Sequence, residues 1–369
     1  MNITTNRAAL NAALRISAST SGDGSGHAQL ACVLLRAAAG KLTVSSTDLT
    51  TTSVIEIPCV GTGSASIGAA NLSAIVGTLD ADEVSISVDG GTATVRGGKR
   101  KNQVPTIGRP EDFPRLPDVD GAVWQAINGH ALGEVIDAVK SACALDPARA
   151  AMCGVNLRAG GGVIVGAATD GKRLHRVERS TDANFAAGTV PLNACKVVAS
   201  VCDDEMFIAR DASSLMVRCR DVTIVVRLIV EPFPDFTQVI PVKNARIVTV
   251  DRKDMTDALA RAKMVTGKEH KDTGALPVVI EASGTEAHLS SRNKDGFVAD
   301  DTLDAEHSGK PIKVALSPDF VVAAMKAMGS ERVTLRCESE LSAVMVHRAG
   351  ETVTPTSGDY AVIMPMDVR

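Results

Sequence analysis

Weak self-similarity at a period of about one third of the chain constrains this sequence more than any single motif in it. When the 369 residues are cut near positions 121 and 246, each third runs helix, strands, helix, strands. Each opens with a strand-like or capped entry into an amphipathic helix. Thr4-Thr5-Asn6-Arg7 leads to Leu10 and Leu14, Asn128-Gly129-His130 to Leu132 and Ile136, and Asp251-Arg252-Lys253-Asp254 to Met255 and Leu259. An apolar pair four residues apart lies on one helix face.

Alternating strands follow, over Leu42 to Asp48, Val163 to Asp170 and Ala287 to Asn293. A second helix starts after Ile67, Val190 and Val314, which are almost evenly spaced. Further strands close each third, such as Val84 to Val88 turning at Asp89-Gly90-Gly91 into Thr92 to Val95. The pattern predicts an α+β fold of three repeated domains, 1–120, 121–245 and 246–369, with helices on one face of antiparallel sheets. A one-sided unit repeated at even spacing predicts a curved array, helices on one rim and sheet on the other.

Composition narrows the function classes. No apolar run is long enough to span a bilayer, and Met1 to Arg7 lacks the basic and apolar segments of a secretory signal, so a cytoplasmic location is expected. The formal net charge of -4 argues against a protein that coats nucleic acid with its whole surface, and leaves room for one basic face. The eight cysteines form no C-x-x-C pair, and Cys195 and Cys202 sit in an apolar run. They are expected to be reduced core residues; neither metal nor cofactor is expected.

Two chemistries compete and fall short. Asp170, Lys172, Arg173 and His175 offer an acid-base or phosphate-handling cluster, but no nucleophile-base pair or metal-ligand spacing accompanies them. Gly97-Gly98-Lys99-Arg100-Lys101 is glycine-basic and does not match a phosphate loop. As a base-reading patch, Lys99-Arg100-Lys101 lacks stacking partners, since aromatic residues make up 2% of the chain. A non-catalytic protein is expected.

Three segments carry a family resemblance: Ala168-Thr169-Asp170-Gly171-Lys172-Arg173-Leu174, Pro232-Phe233-Pro234-Asp235-Phe236 with Val239-Ile240-Pro241, and Val362-Ile363-Met364-Pro365-Met366. In that order and spacing, with Ser46-Thr47-Asp48-Leu49 and Glu111 to Leu116 in the first third, the chain resembles the bacterial DNA polymerase III beta subunit, the DNA sliding clamp. The resemblance implies three clamp-fold domains per chain in a head-to-tail homodimer, with helices lining the ring interior and sheets outside. Such a ring is a processivity factor, encircling duplex DNA without reading its sequence. Its implied partners are a clamp loader, the polymerase III alpha subunit and other clamp-motif proteins.

Carried over residue by residue, the resemblance implies a partner-peptide pocket between the second and third domains. Its walls are Met152, Thr169, Gly171, Lys172, Arg173, Leu174, Pro234, Gln238, Val239, Ala343, Val362, Met364, Pro365 and Met366. Apolar and methionine side chains suit an adaptable slot. The DNA-facing candidates are Arg7, Arg15, Lys140, Lys196, Arg252, Arg261, Lys263 and Lys326. The dimer seam candidates are Gln103, Pro105, Met264 and Val265.

Lys172, Gln238 and Asp367 depart from the family pattern at the pocket rim. Gln103 and Pro105 depart from it at the seam, where large apolar side chains are frequent, and so weaken an expected anchor. A specialised or resistant second-copy clamp with altered partner choice is the alternative within the same family.

Overall fold

The computed structural model describes residues 1–241, 246–266, 276–293 and 295–366, with the side chains of 265 and 266 outside the description. The chain forms two compact units, Met1–Gly133 with Thr181–Val230, and Glu134–Ser180 with Glu231–Arg369.

In the first unit, helix α1 (Arg7–Thr20) begins where the Asn6 side chain accepts the Ala9 amide at 3.0 Å. That bond satisfies one of the amides a helix start leaves unpaired. The helix buries Leu10, Ala13, Leu14, Ser17 and Thr20, one stripe at three- and four-residue spacing. Burying Leu10 and Leu14 contributes about 2 kcal/mol each. Helix α2 (Ala69–Thr78) places Leu72 and Val76 in the same core as Leu35, Val44, Ile67 and Ile86.

The sheet of this unit is antiparallel throughout. Its order is Arg100–Pro105, Thr92–Gly97, Glu83–Asp89, Asn2–Asn6, Thr51–Gly68, Val222–Arg227, Ser214–Cys219, Met206–Arg210 and Gln125–Ile127. Gly90 and Gly91 both adopt positive φ, at +52° and +80°, between the paired residues Asp89 and Thr92. Two left-handed residues give the turn whose twist matches its strands, as the Asp-Gly-Gly signal predicts.

The chain passes into the second unit within helix α3 (Gly129–Val139), where Val135, Ile136 and Val139 are buried. Helix α4 (Leu192–Val201) belongs to the first unit and buries Ala194, Cys195, Val197 and Val198. In the second unit, helix α5 (Arg252–Thr266) buries Met255, Ala258, Leu259 and Ala262. Helix α6 (Pro318–Met328) starts on a proline and stops at Gly329, whose φ is +66°. That pairing follows from proline's missing N–H and glycine's missing Cβ.

The second unit's sheet is likewise antiparallel. It runs Gly154–Gly160, Val163–Thr169, Arg173–Ser180, Tyr360–Ile363, Val344–Arg348, Arg332–Cys337, Arg246–Asp251, Val298–Gly309, Glu286–Arg292, Val278–Ser283 and Ile312–Leu316. All six predicted helix anchors, Leu10, Leu14, Leu132, Ile136, Met255 and Leu259, are fully buried. The fold is α+β with antiparallel sheets, as the repeat predicts. The eight cysteines are free thiols; six are buried, as expected of core residues, while Cys153 and Cys202 are only half-buried. Among the described residues no helix is long and apolar enough to cross a membrane.

Candidate functional site

Strand Val163–Thr169 reverses into strand Arg173–Ser180 through a turn held by its own side chains. Asp170 Oδ1 accepts the amides of Lys172 at 2.9 Å and Arg173 at 3.0 Å, and Oδ2 accepts Arg173 Nε at 3.0 Å. Thr169 Oγ1 donates to the Arg173 carbonyl at 2.6 Å and accepts the Gly171 amide at 3.1 Å. Gly171 sits at φ +84°, a conformation side-chain-bearing residues rarely adopt. The Thr-Asp-Gly-Lys-Arg string is therefore a self-sufficient turn.

Arg173–Ser180 pairs on its other edge with Tyr360–Ile363, so that Arg173 faces Ile363, Leu174 faces Val362, His175 faces Ala361 and Arg176 faces Tyr360. The Met364 amide continues the ladder to the Lys172 carbonyl at 2.9 Å, and the Met366 amide donates to the Ala315 carbonyl at 2.8 Å. Leu174 and Val362 join Ile240, Met345, Val353 and Tyr360 in one apolar cluster, with Phe236 and Ala343 packed against it. Met364 is 46% exposed and Val239 59% exposed. Apolar side chains held in solvent at defined positions suit a surface that another molecule covers.

The same turn borders a cavity of about 430 Å³ lined by Cys143, Ala144, Leu145, Asp146, Arg149, Asp170, Lys172, Arg173, Asp319 and Phe320. The Arg173 guanidinium lies 4.2 Å from the Phe320 ring centroid while paired with Asp170, so two contacts fix its plane. Arg149 Nη1 donates to the Asp170 carbonyl at 2.6 Å. Burial pushes the Cys143 thiol up to about 12, leaving an inert wall.

The structure thus brings together Leu174, Ala343 and Val362 in one cluster, and Lys172 and Arg173 on one cavity wall. Thr169 and Gly171 shape the turn between them. Pro234 is exposed, and Gln238 turns back on Asp235, its Nε2 donating at 3.2 Å. Met152 ends a short helical segment, where its carbonyl accepts the Ala144 amide at 2.9 Å. Pro365 and Met366 are half-buried, and Asp367 lies outside the described residues. Sequence reasoning missed Phe320, Arg149 and Leu145; Phe320 had a signal in the apolar stripe after Ser317-Pro318, and the others had none.

The competing acid-base cluster does not assemble. His175 is fully buried with Nδ1 3.2 Å from the Ala138 carbonyl, and burial holds it down to about 4. Asp170 and Arg173 are engaged with each other. Strand alternation puts His175 on the face opposite Leu174.

The DNA-facing candidates divide by partner. Arg7 donates to the Ala81 carbonyl at 3.1 Å, and Arg252 to the Ser330 carbonyl at 2.6 Å. Lys140 pairs with Asp137, Arg261 with Asp301 and Lys263 with Asp319. Lys196 reaches Asn193 at 3.5 Å. Arg15 and Lys326 are exposed, with no side-chain partner among the described residues. Of the seam candidates, Gln103 and Pro105 are exposed on the sheet's terminal strand, opposite Thr94 and Thr92. Met264 is 83% exposed near the end of α5, and the side chain of Val265 lies outside the described residues.

Comparison with known proteins places these features in a family. The model of the DNA polymerase III beta subunit N-terminal domain matches residues 1–117, and that of its C-terminal domain matches residues 237–367. The beta sliding clamp of Synechococcus elongatus is 25% identical over 357 residues, covering 93% of each chain. That of Chlamydia muridarum is 23% identical over 342 residues, covering 90% of each. The crystal structure of the DNA polymerase III beta subunit from Thermotoga maritima matches with a TM-score of 0.90 at 20% identity, covering the whole of both chains. With both terminal domains matched and the same fold over its full length, this chain belongs to the DNA polymerase III beta subunit family, the bacterial beta sliding clamps.

Proposed function

We propose that this DNA sliding clamp works as a ring-shaped homodimer that encircles duplex DNA and tethers a replicative polymerase to it. The division into domains 1–120, 121–245 and 246–369 gives three repeats per chain, and two chains joined head to tail close the ring. The ring catalyses nothing: it holds DNA topologically, with weak, sequence-blind contacts to phosphate. A processivity factor of this kind works where the chromosome is, in the cytoplasm, with a clamp loader to open it.

The observation that carries the tethering role is the Leu174–Val362 pair with the exposed Met364 beside it. An apolar floor, a methionine rim and a neighbouring polar cavity suit a short extended peptide, whose apolar side chains enter the slot while polar groups set its direction. The polymerase III alpha subunit and other clamp-motif proteins present such segments. Retention on DNA is the direct test. After loading, the protein should stay on closed circular DNA and leave when the circle is linearised; equal retention on both forms would overturn topological binding.

A further inference from the structure

We infer that Arg176 is a positioning residue for the partner-peptide slot, acting by fixing the register of strand Arg173–Ser180 against strand Tyr360–Ile363. This rests on the reading of Leu174, Val362 and Met364 as that slot. The two strands share four residue pairs, a short ladder between segments far apart in sequence. A one-residue slip moves every side chain of a strand to its other face, which would separate Leu174 from Val362 and withdraw Met364 from Lys172.

What opposes the slip lies beyond the end of the ladder. Arg176 is 1% exposed, and its guanidinium lies 5.8 Å from the ring centroid of Tyr360, its own cross-strand partner. It donates to the carbonyls of Gly358 and Thr356 and, at 2.7 Å, to Glu178 Oε2. Glu178 Oε1 accepts the Gly358 amide at 3.0 Å, and the Tyr360 hydroxyl donates to the Pro355 carbonyl at 2.7 Å. Asp359 Oδ1 accepts the Glu178 amide at 2.8 Å, while its other oxygen takes Arg179 and Arg348.

Most of these acceptors sit in the five residues that lead into the terminal strand. In any other register a buried guanidinium and a buried carboxylate would lose partners, the costliest outcome for groups removed from water. Burial raises the Glu178 carboxyl, and the hydrogen bonds it accepts from Arg176 and from the Gly358 amide bring it below its ordinary value. Arg176 is not among the residues that form the apolar floor, so its effect on a bound peptide passes through the strand.

The test uses full-length protein with Arg176→Met, which keeps bulk and removes the fork, and Arg176→Lys, which keeps charge and removes the planar geometry. Binding of a fluorescent clamp-motif peptide is measured well below the melting temperature, together with amide exchange at Met364 and Met366. The Met364 amide depends on Lys172, whereas the Met366 amide depends on Ala315 and serves as the internal control. The expected result is Met364 exchange at least tenfold faster with Met366 unchanged, and a peptide Kd raised about tenfold.

Equal acceleration at both amides would mark a merely structural role and overturn the inference, as would wild-type exchange at Met364. Should Arg176→Met not fold, Arg176→Lys decides on the same criteria. Failure of the slot reading is separable: it appears as unchanged peptide affinity in Met364→Ala, and leaves the exchange result standing.

Discussion

Met364 donates its backbone N–H to the carbonyl of Lys172 at 2.9 Å, which fastens the C-terminal segment to the turn after Thr169. The bond sets the exposed methionine beside Leu174 and Val362, so the proposed slot rim is built jointly by two segments distant in sequence.

Replacing Met364 with alanine should weaken a clamp-motif peptide by about 1–2 kcal/mol, roughly tenfold in Kd, with little change in melting temperature, because the side chain is 46% exposed. Fluorescence anisotropy against a labelled peptide reads this directly. An unchanged Kd in the Met364→Ala, Met366→Ala double variant would remove the slot assignment.

Gly171→Ala should lower stability by about 1–2 kcal/mol. The added Cβ must adopt φ +84° and would lie 3.3 Å from Arg149 Nη1. Differential scanning calorimetry should record a fall of a few degrees. Because Gly171 shapes the turn that presents Lys172, peptide affinity should fall with it.

Acid should unfold the protein through two buried imidazoles. Burial holds His175 down to about 4, and burial with nearby Arg336 holds His347 down to about 4, against an ordinary 6.5. Between those values the unfolded chain binds more protons, so the stabilisation is complete above pH 6.5 and is lost as pH falls toward 4. Each histidine contributes at most about 3 kcal/mol. Urea midpoints measured from pH 7 to pH 4 should decline over that window. His175→Phe should flatten the slope, and an unchanged slope would assign the acid sensitivity elsewhere.

Arg15 and Lys326, which have no side-chain partner among the described residues, should contribute more to DNA contact than Arg261, which is paired with Asp301 at 2.8 Å. Arg15→Glu with Lys326→Glu should reduce the salt dependence of DNA affinity by about one unit of log-log slope per charge removed, with Arg261→Glu having the smaller effect. Filter binding across a salt series measures this. Equal effects from all three would show that internal pairing does not discriminate among them.

Much of this protein is readable in one dimension, because local forces write it there. The apolar pairs Leu10 with Leu14, Leu132 with Ile136 and Met255 with Leu259 announce helices, since a side chain four residues on falls on the same face. The Asp89-Gly90-Gly91 turn and the Thr169 to Arg173 turn are also local, held by φ preferences and by side chains bonding to their own backbone. Cross-strand partners are not written that way. Nothing in the residues around His175 reveals that it is sealed against the Ala138 carbonyl, or that Arg173 stacks on Phe320. Pairing between distant segments is chosen by the whole set of buried contacts, above all the polar groups that one register alone can satisfy. The sequence by itself determined the helices and the turns, while the proposed slot residues rest on the family resemblance. Tertiary structure alone decided that Leu174 meets Val362, and that Arg176 is buried among the residues leading into the terminal strand.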